Sequence, residues 1–400
     1  MSWARATIVV ALVTGCHGAR GRDGGDAGAL ASMADTSTSE AGTALFANPA
    51  SRCGECHGAF EGQWRRSAHG HSQTTPAYLA MRDHTDAARC DRCHAPLDRL
   101  LPADDPARGD GVNCDACHTL GETTPRRSGG GFTLHVDDMT KFGPLCDAKN
   151  NYFHKVQCSS FYGQSEMCAS CHWMVERIGS DELPVFTEYE EWQSSRQGAI
   201  GISCQDCHMP EESTAVAVGA RRRGGVAHHD FGADNPRFRS SALTVHASIE
   251  ARPATVLVKA SVRNENAGHD VPTGLPERRL VLRVTALDAS GRKIDGAERS
   301  YGRVLVDGTG EPAPFYAATR IGADTRIMPD ETRDESIELS LPTAGELRLE
   351  VVWQAIAPTI ANKLSLPTGE VILLHGASKV DKPGSRHPGA VATIPLEVAP

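Results

Sequence analysis

Aromatic side chains are scarce in this chain of 400 residues, and its 41 basic residues are outnumbered by 50 acidic ones. Phe, Trp and Tyr make up 5% of it, which is little for filling the core of so long a chain. The formal net charge is −9 and the pI is about 6.0. This charge argues against a nucleic-acid partner, because phosphate binding needs clustered basic residues. Cysteine is absent after residue 207, so any chemistry that depends on cysteine belongs to the earlier part of the chain.

Ten of the 13 cysteines belong to one motif, Cys-x-x-Cys-His, which occurs five times. It is the attachment site of a c-type haem, whose porphyrin is bound by the two thiols and whose iron is bound by the histidine. A thioredoxin-like site would have a single Cys-x-x-Cys, and zinc knuckles need no histidine directly after it. We therefore predict five covalent haems, whose porphyrins supply apolar bulk that aromatic side chains do not. The predicted attachment residues are Cys53, Cys56, Cys90, Cys93, Cys114, Cys117, Cys168, Cys171, Cys204 and Cys207, and the predicted proximal iron ligands are His57, His94, His118, His172 and His208.

Other histidines are candidates for the second, distal ligand of each iron. Two imidazoles make a haem iron six-coordinate and suited to electron transfer, whereas an open position binds substrate. One candidate lies in the turn-rich segment 266–274, which either docks on the haem region and caps an iron or is a structural loop. Met167, Met174 and Met209 lie beside motifs and are predicted to pack against porphyrin. The distal candidates are His69, His84, His135, His154, His229 and His269; His71 and His228 lie in the same region.

The amino terminus resembles an export signal. Arg5 precedes a short apolar run, Ala6–Val13, which is too short to span a membrane as a helix. The run ends in Val13-Thr14-Gly15-Cys16, which resembles a bacterial lipobox, so Cys16 is a candidate for lipidation; ordinary cleavage elsewhere is the alternative. Either interpretation predicts export. Residues 17–40 are rich in Gly, Ala, Asp, Ser and Thr and indicate a flexible linker.

Two cysteines remain, Cys146 and Cys158, and they fit no haem motif. In an oxidising compartment we predict that they form a disulfide. The alternative is a pair of buried free thiols.

The chain divides into two regions by composition. Residues 41–240 hold all five motifs and predict a haem-packed, mainly helical or irregular domain. Residues 241–400 show alternating apolar residues in seven segments, which predicts an all-β immunoglobulin-like sandwich without a competing helix. A partial internal repeat joins Trp64–Gly70 to Trp192–Gly198, in which Trp, Ser and Gly keep their spacing and His69 is replaced by Gln197. The predicted strands are Leu243–Ile249, Thr255–Val262, Leu280–Ala286, Gly302–Val306, Ser336–Leu341, Leu347–Trp353 and Glu370–Leu374.

Several segments carry a family resemblance. They are Trp64-x-x-Ser67-x-His69, Cys90–Pro96, Val112–Cys114, Ser165–His172, Trp192–Pro210, and Gly268–Gly274 followed by Arg278 or Arg279. In these the chain resembles the multihaem cytochrome c group that includes the tetrahaem electron acceptor of hydroxylamine oxidoreductase. The resemblance implies closely packed, mostly bis-histidine haems that conduct electrons. Five motifs instead of four prevent transfer of individual ligand pairs.

These observations predict an exported, lipid-anchored pentahaem cytochrome that relays electrons between redox protein partners. The main alternative is a reductase or oxidoreductase of small nitrogen or sulfur compounds with one open haem. Pentahaem nitrite reductases resemble the chain in haem number, but they use a Cys-x-x-Cys-Lys motif, which this sequence lacks. A structural or adhesive surface lipoprotein is a third possibility.

Overall fold

The computed structural model describes residues 47–381 and 391–399. The predicted export signal, Cys16 and the linker 17–40 lie outside the described residues. Among the described residues, no helix has both the length and the apolar character needed to cross a membrane.

Short helices carry the haem motifs. Several are held by side-chain caps, as expected for helices of one or two turns, which are unstable alone. Asn113 accepts a hydrogen bond from the Ala116 amide (3.0 Å), and Ser203 forms a capping box with Asp206. The helices of this region are α1 (Ala50–Arg65), α2 (Pro76–Arg82), α3 (Ala87–His94), α4 (Cys114–His118), α5 (Ser165–Ala169), α6 (Glu188–Ser194), α7 (Arg196–Ala199), α8 (Cys204–His208) and α9 (Pro236–Ser241).

Three two-stranded sheets interrupt these helices, which the sequence patterns did not predict. The parallel pair is β1 (Thr140–Gly143) with β2 (Lys155–Cys158). The antiparallel pairs are β3 (Met174–Ile178) with β4 (Asp181–Phe186), and β5 (Glu211–Ala215) with β6 (Arg222–Ala227). The pairs are too short to show a clear two-residue periodicity, which explains why they were missed.

Two larger antiparallel sheets form the C-terminal region. One has the strand order β10-β9-β14-β15-β17 and the other β13-β8-β7-β16, and a small pair, β11 with β12, lies beside them. Each of the seven predicted segments forms a strand or most of one. The bounds are β7 (Leu243–Ala251), β8 (Thr255–Asn264), β9 (Arg279–Asp288), β10 (Lys293–Tyr301), β11 (Arg303–Val306), β12 (Arg320–Asp324), β13 (Thr332–Ser340), β14 (Gly345–Gln354), β15 (Glu370–Val380), β16 (Val391–Ile394) and β17 (Glu397–Val398).

The two sheets share one apolar core. Strand β8 alternates buried and exposed positions, with Val256, Val258 and Val262 fully buried, because neighbouring side chains of a strand face opposite sides. Leu282 and Leu349 join the same core from the other sheet.

The prediction that no helix lies in this region is wrong, since α10 (Pro358–Leu364) follows β14. This helix is only seven residues long and starts at a proline, so its periodicity was too brief to detect. Its buried Ile360 and Ala361 pack with Ile356, and Ala77 of α2 lies against the same cluster. A second shared cluster joins Leu183 of β4 to Leu305 of β11. The haem-motif region and the sheets are therefore in direct apolar contact.

Candidate haem centres

Each Cys-x-x-Cys-His motif is built around about one helical turn. Residues three apart lie on the same face of a helix, so the two thiols of a motif point the same way. Helices α4 and α8 consist of a motif each, and α3 ends with one. In α1 the backbone leaves helical geometry at His57, with φ −109° and ψ 40°. The arrangement places both thiols and the adjacent imidazole where one porphyrin could be attached.

Four of the five proximal histidines are oriented by backbone carbonyl groups. In each of them the Nδ1 atom donates a hydrogen bond to a main-chain carbonyl. The pairs are His57 with Val216 (2.6 Å), His94 with Ser72 (2.8 Å), His118 with Phe142 (2.7 Å) and His208 with Phe231 (3.0 Å). A carbonyl oxygen only accepts, so Nδ1 carries the proton and Nε2 keeps a free lone pair. Metal-binding histidines commonly have their second nitrogen held in this way.

The fifth proximal histidine, His172, faces a carboxylate instead. Its Nδ1 lies 3.9 Å from Oε1 of Glu188, at the start of α6. Burial of Glu188 would raise the pKa of its carboxyl group, but contact with His172 outweighs burial and lowers it. An anionic partner makes an imidazole a more basic ligand than a carbonyl partner does. The fourth motif therefore has a different electrostatic setting from the others.

Four proximal imidazoles each face a second imidazole. The ring centroids of His57 and His154 are 6.3 Å apart, as are those of His172 and His69. The corresponding distance is 6.2 Å for His118 with His229 and for His208 with His269. Metal–imidazole bonds of about 2.0 Å on both sides of one metal atom would hold two ring centroids about 6 Å apart. The residues present therefore fit iron held between two histidines at four of the five motifs.

The surroundings of His69 also suit a metal-binding imidazole. Its Nδ1 atom is buried and makes no hydrogen bond, which is costly unless another group lies against it. Burial and the neighbouring His172, His94 and His208 lower the pKa of His69 to about 3. The ring is thus neutral, as a metal-binding imidazole must be.

His94 of the second motif differs, because in the described part of the chain no imidazole faces it. Its ring stacks on Tyr78 at 4.5 Å. The Tyr78 hydroxyl donates to Asp91, and Arg82 binds the same carboxylate through two nitrogens at 2.9 and 2.8 Å. Burial, followed by Asp91, raises the pKa of Tyr78, so the phenol keeps its proton.

The remaining candidates lie elsewhere. His84 is exposed and stacks on Tyr316 at 5.6 Å, and the His135 ring lies 5.8 Å from Phe142. Neither ring is paired with a proximal imidazole among the described residues. His71 is exposed, and His228 lies 3.0 Å from Asp230. Of the methionines, Met167 and Met174 are partly buried against apolar clusters, as side chains that pack would be.

The motifs lie close to one another. The side chains of Cys53 and Cys114 are in contact, which joins the first motif to the third. Cys168 contacts Cys204, and Cys93 contacts Cys171. The fourth motif is therefore next to both the second and the fifth.

His154 lies on a loop that a disulfide closes. Cys146 and Cys158 are bonded to each other, and they are the two described cysteines that no motif uses. The loop between them is further held to the β5–β6 hairpin, because Arg223 binds Asp147 at 2.7 Å. The hairpin also contacts the first motif, through the Val216 carbonyl and through the Val218 amide, which donates to Cys56 (2.8 Å).

His269 comes from the C-terminal region, on the loop between β8 and β9. A buried ion-pair network fixes this loop to α6. Arg326 binds Glu191 (2.6 Å), Asp270 (2.9 Å) and Asp324 (3.0 Å), and the Asp270 amide donates to Glu191 (3.0 Å). Burial and Glu191 raise the pKa of Asp270 to about 6, although Arg326 opposes this. The sheets thus contribute one of the four facing imidazoles.

The internal repeat is also present in the structure. In both copies the serine hydroxyl donates to the tryptophan carbonyl and accepts from the glycine amide, as in Ser67 with Trp64 and Gly70. The indole of Trp64 donates to Val112, and that of Trp192 donates to Ile202, each two residues before a motif. A Cβ atom at either glycine would lie within 2.6 Å of the tryptophan carbonyl.

The five motifs and the fold resemble those of multihaem cytochromes c. Residues 52–119 match the family described as cytochrome c554 and c-prime. The structure is similar to a penta-heme cytochrome c552 from Thermochromatium tepidum, with a TM-score of 0.68 and 23% identity over 83% of this chain and 99% of that chain. At this identity the likeness shows a shared fold. No curated protein matches the chain. These findings support covalently bound c-type haem and an electron-transfer role.

Proposed function

We propose that this chain is a pentahaem c-type cytochrome that relays electrons between redox proteins. The observation that carries the proposal is the set of four imidazole pairs with centroids 6.2–6.3 Å apart. Haem iron held between two imidazoles supplies one-electron exchange. We also infer that the C-terminal sheets form an immunoglobulin-like sandwich, on the grounds of their two antiparallel layers and shared core.

The residues favour transfer over substrate binding at those four motifs. Carbonyl groups fix the tautomer and orientation of three of the proximal rings, and Glu188 lies against the fourth. The facing rings are held by a disulfide loop at His154 and by an ion-pair network at His269. Ligands held on both sides leave no position for a substrate and rearrange little between oxidation states.

The relay is tested by haem number and by spin state. The purified protein should contain five haems that survive acid–acetone extraction, by pyridine haemochrome assay. Electron paramagnetic resonance of the oxidised protein should show mainly low-spin iron. His69→Ala should add a high-spin signal and carbon monoxide binding after reduction, whereas the nearby exposed His71→Ala should not. Three or fewer haems, or a wild-type protein that is mostly high-spin, would contradict the proposal.

A reductase is the second candidate, favoured by one observation. His94 has a proximal orientation but no facing imidazole in the described part of the chain. If its iron is open, the wild-type protein should bind about one carbon monoxide per five haems. Reduction of nitrite or hydroxylamine at about 1–10³ s⁻¹ would favour the enzyme. Carbon monoxide binding without such turnover would support the relay with one open centre.

We propose export and lipid anchoring on the sequence Val13–Cys16 alone. The wild-type protein should then be recovered with membranes, and Cys16→Ala should release it. Equal solubility of the two would favour simple signal cleavage. The likeness to the electron acceptor of hydroxylamine oxidoreductase stays a prediction.

A further inference from the structure

We propose that an acidic redox protein docks over the first motif, on a surface formed by residues 144–155 and 216–223. We call this the first-motif surface. The inference deepens the proposed function and rests on it. It names the site at which a partner exchanges electrons and the charge that the partner carries.

Three exposed apolar side chains lie on these two segments. Tyr152 is 91% exposed, Val218 79% and Phe153 64%. Apolar side chains grouped at the surface commonly mark a contact site, whereas single ones are ordinary. Aromatic rings in particular are enriched where proteins bind each other.

The same two segments carry an excess of positive charge. The two segments contain Lys149, Lys155 and Arg221–Arg223 against the single acidic residue Asp147, in a chain whose net charge is −9. Arg221 and Lys149 are exposed and have no ion-pair partner among the described residues. A local basic area on an acidic protein attracts an acidic partner and speeds its encounter, and this steering weakens with salt.

The surface is also rigid, although it consists of loops. The Cys146–Cys158 disulfide closes one segment, and Arg223 ties it to the other through Asp147. The Asn151 side chain accepts hydrogen bonds from the amides of Phe153 (2.8 Å) and His154 (3.1 Å). A surface ordered in advance loses less entropy when a partner binds.

Both segments touch the first motif directly. Phe153 is followed by His154, whose ring faces His57, and the hairpin contacts His57 and Cys56. A partner seated on Phe153 is thus one residue from an imidazole of that motif. We favour a protein over a lipid surface because the apolar side chains stand on short, hydrogen-bonded loops and not on an amphipathic helix.

The experiment measures reduction of the purified full-length protein by an acidic plant-type ferredoxin in a stopped-flow instrument. Each productive encounter oxidises the iron–sulfur cluster by one electron and reduces one haem iron from ferric to ferrous. The test variant is Arg221→Glu with Arg222→Glu. The matched control is Arg237→Glu with Arg320→Glu, two exposed residues outside the surface that change the net charge equally.

At about 0.01 M ionic strength the test variant should react at least tenfold more slowly than wild type, and the difference should vanish near 1 M salt. The control should lose little. Tyr152→Ser with Phe153→Ser should also slow the reaction, but with weaker salt dependence. Equal losses in test variant and control, or no loss in either, would overturn the docking proposal.

Two further measurements separate the outcomes. Reduced methyl viologen should reduce wild type and all variants at equal rates. If it fails to reduce the wild type, the electron-relay function itself is wrong. If it succeeds while ferredoxin reduces the test variant as fast as wild type, only the docking site is wrong. Cosedimentation with vesicles of anionic phospholipid, lost in the test variant, would identify a lipid surface and overturn the protein partner.

Discussion

Replacement of Arg326 by methionine should free the distal imidazole of the fifth motif. The Arg326 side chain is 9% exposed and binds three carboxylates, those of Glu191, Asp270 and Asp324. Methionine keeps much of the side-chain length but has no charge. Three acidic groups would then share Arg303, which lies 2.9 Å from Asp324 and 3.8 Å from Glu191.

The magnitude follows from this loss of neutralisation. Removal of one partner from a buried ion pair costs about 3–5 kcal/mol, because a charge is left buried and unpaired. That energy changes the equilibrium between the docked and undocked loop by a factor of about 10² to about 4 × 10³. Asp270 follows His269 directly, so the loop that undocks is the one whose imidazole faces His208. The shared apolar clusters at Leu183 and at Ala77 remain, so the sheets themselves should stay attached.

The assay is electron paramagnetic resonance of the oxidised protein, with carbon monoxide binding after reduction. Arg326→Met should show one new high-spin centre, like His269→Ala. Arg292→Met provides the control, since that arginine side chain is 83% exposed and pairs with Asp288 nearby in the chain. If His269→Ala becomes high-spin and Arg326→Met stays fully low-spin with five haems, the ion-pair network does not position the loop.

Three other predictions concern a buried acid, a proximal partner and the disulfide. Burial raises the pKa of Glu277 to about 7, so the folded protein keeps a proton that the unfolded chain loses. The free energy of unfolding therefore falls by about 3 kcal/mol as pH rises from about 4.5 to above 7. Glu277→Gln should shrink the difference in melting temperature between pH 5 and pH 8, and an unchanged difference would contradict this. Glu188→Gln removes the anion beside His172 and should raise the potential of one haem in spectroelectrochemical titration, whereas five unaltered potentials would show that the contact is electrically unimportant. Replacing Cys146 and Cys158 by serine should reduce the free energy of unfolding by about 2–3 kcal/mol for so short a loop, and so lower the melting temperature. An unchanged melting temperature would show that other contacts hold the loop.

The attachment motifs and the large strands could be read from the sequence because both are local patterns. Thiols three residues apart need only one helical turn, and the alternation in Thr255–Val262 needs only one extended strand. The short helix α10 and the three small strand pairs were missed because a pattern of four to seven residues carries little periodicity.

The pairing of imidazoles could not be predicted, because it depends on contacts between residues distant in sequence. Local context favoured His69, which lies near Trp64, over His84, but it did not show which iron His69 would face. The structure sets His69 opposite His172 and His84 beside Tyr316. The groups that accept hydrogen bonds from Nδ1 of the proximal histidines could not be predicted for another reason. They are main-chain carbonyls, as at Val216 and Phe142, and any residue type supplies one. Glu188 is a side chain, but nothing in its local sequence singles it out.

The arrangement of the motifs explains why the C-terminal sheets belong to the redox region and are not a separable attachment. The loop at His269 supplies the imidazole that faces the fifth motif. The same loop is hydrogen-bonded to helix α6, which carries Glu188 beside the fourth motif. The second motif lies next to the fourth through Cys93 and Cys171, and its neighbouring helix α2 packs on α10 through Ala77. Three of the five motifs are therefore positioned, directly or through one contact, by the sheets. Because ligand identity and nearby charge set the potential of a haem, the sheets would help determine the potentials along the proposed relay.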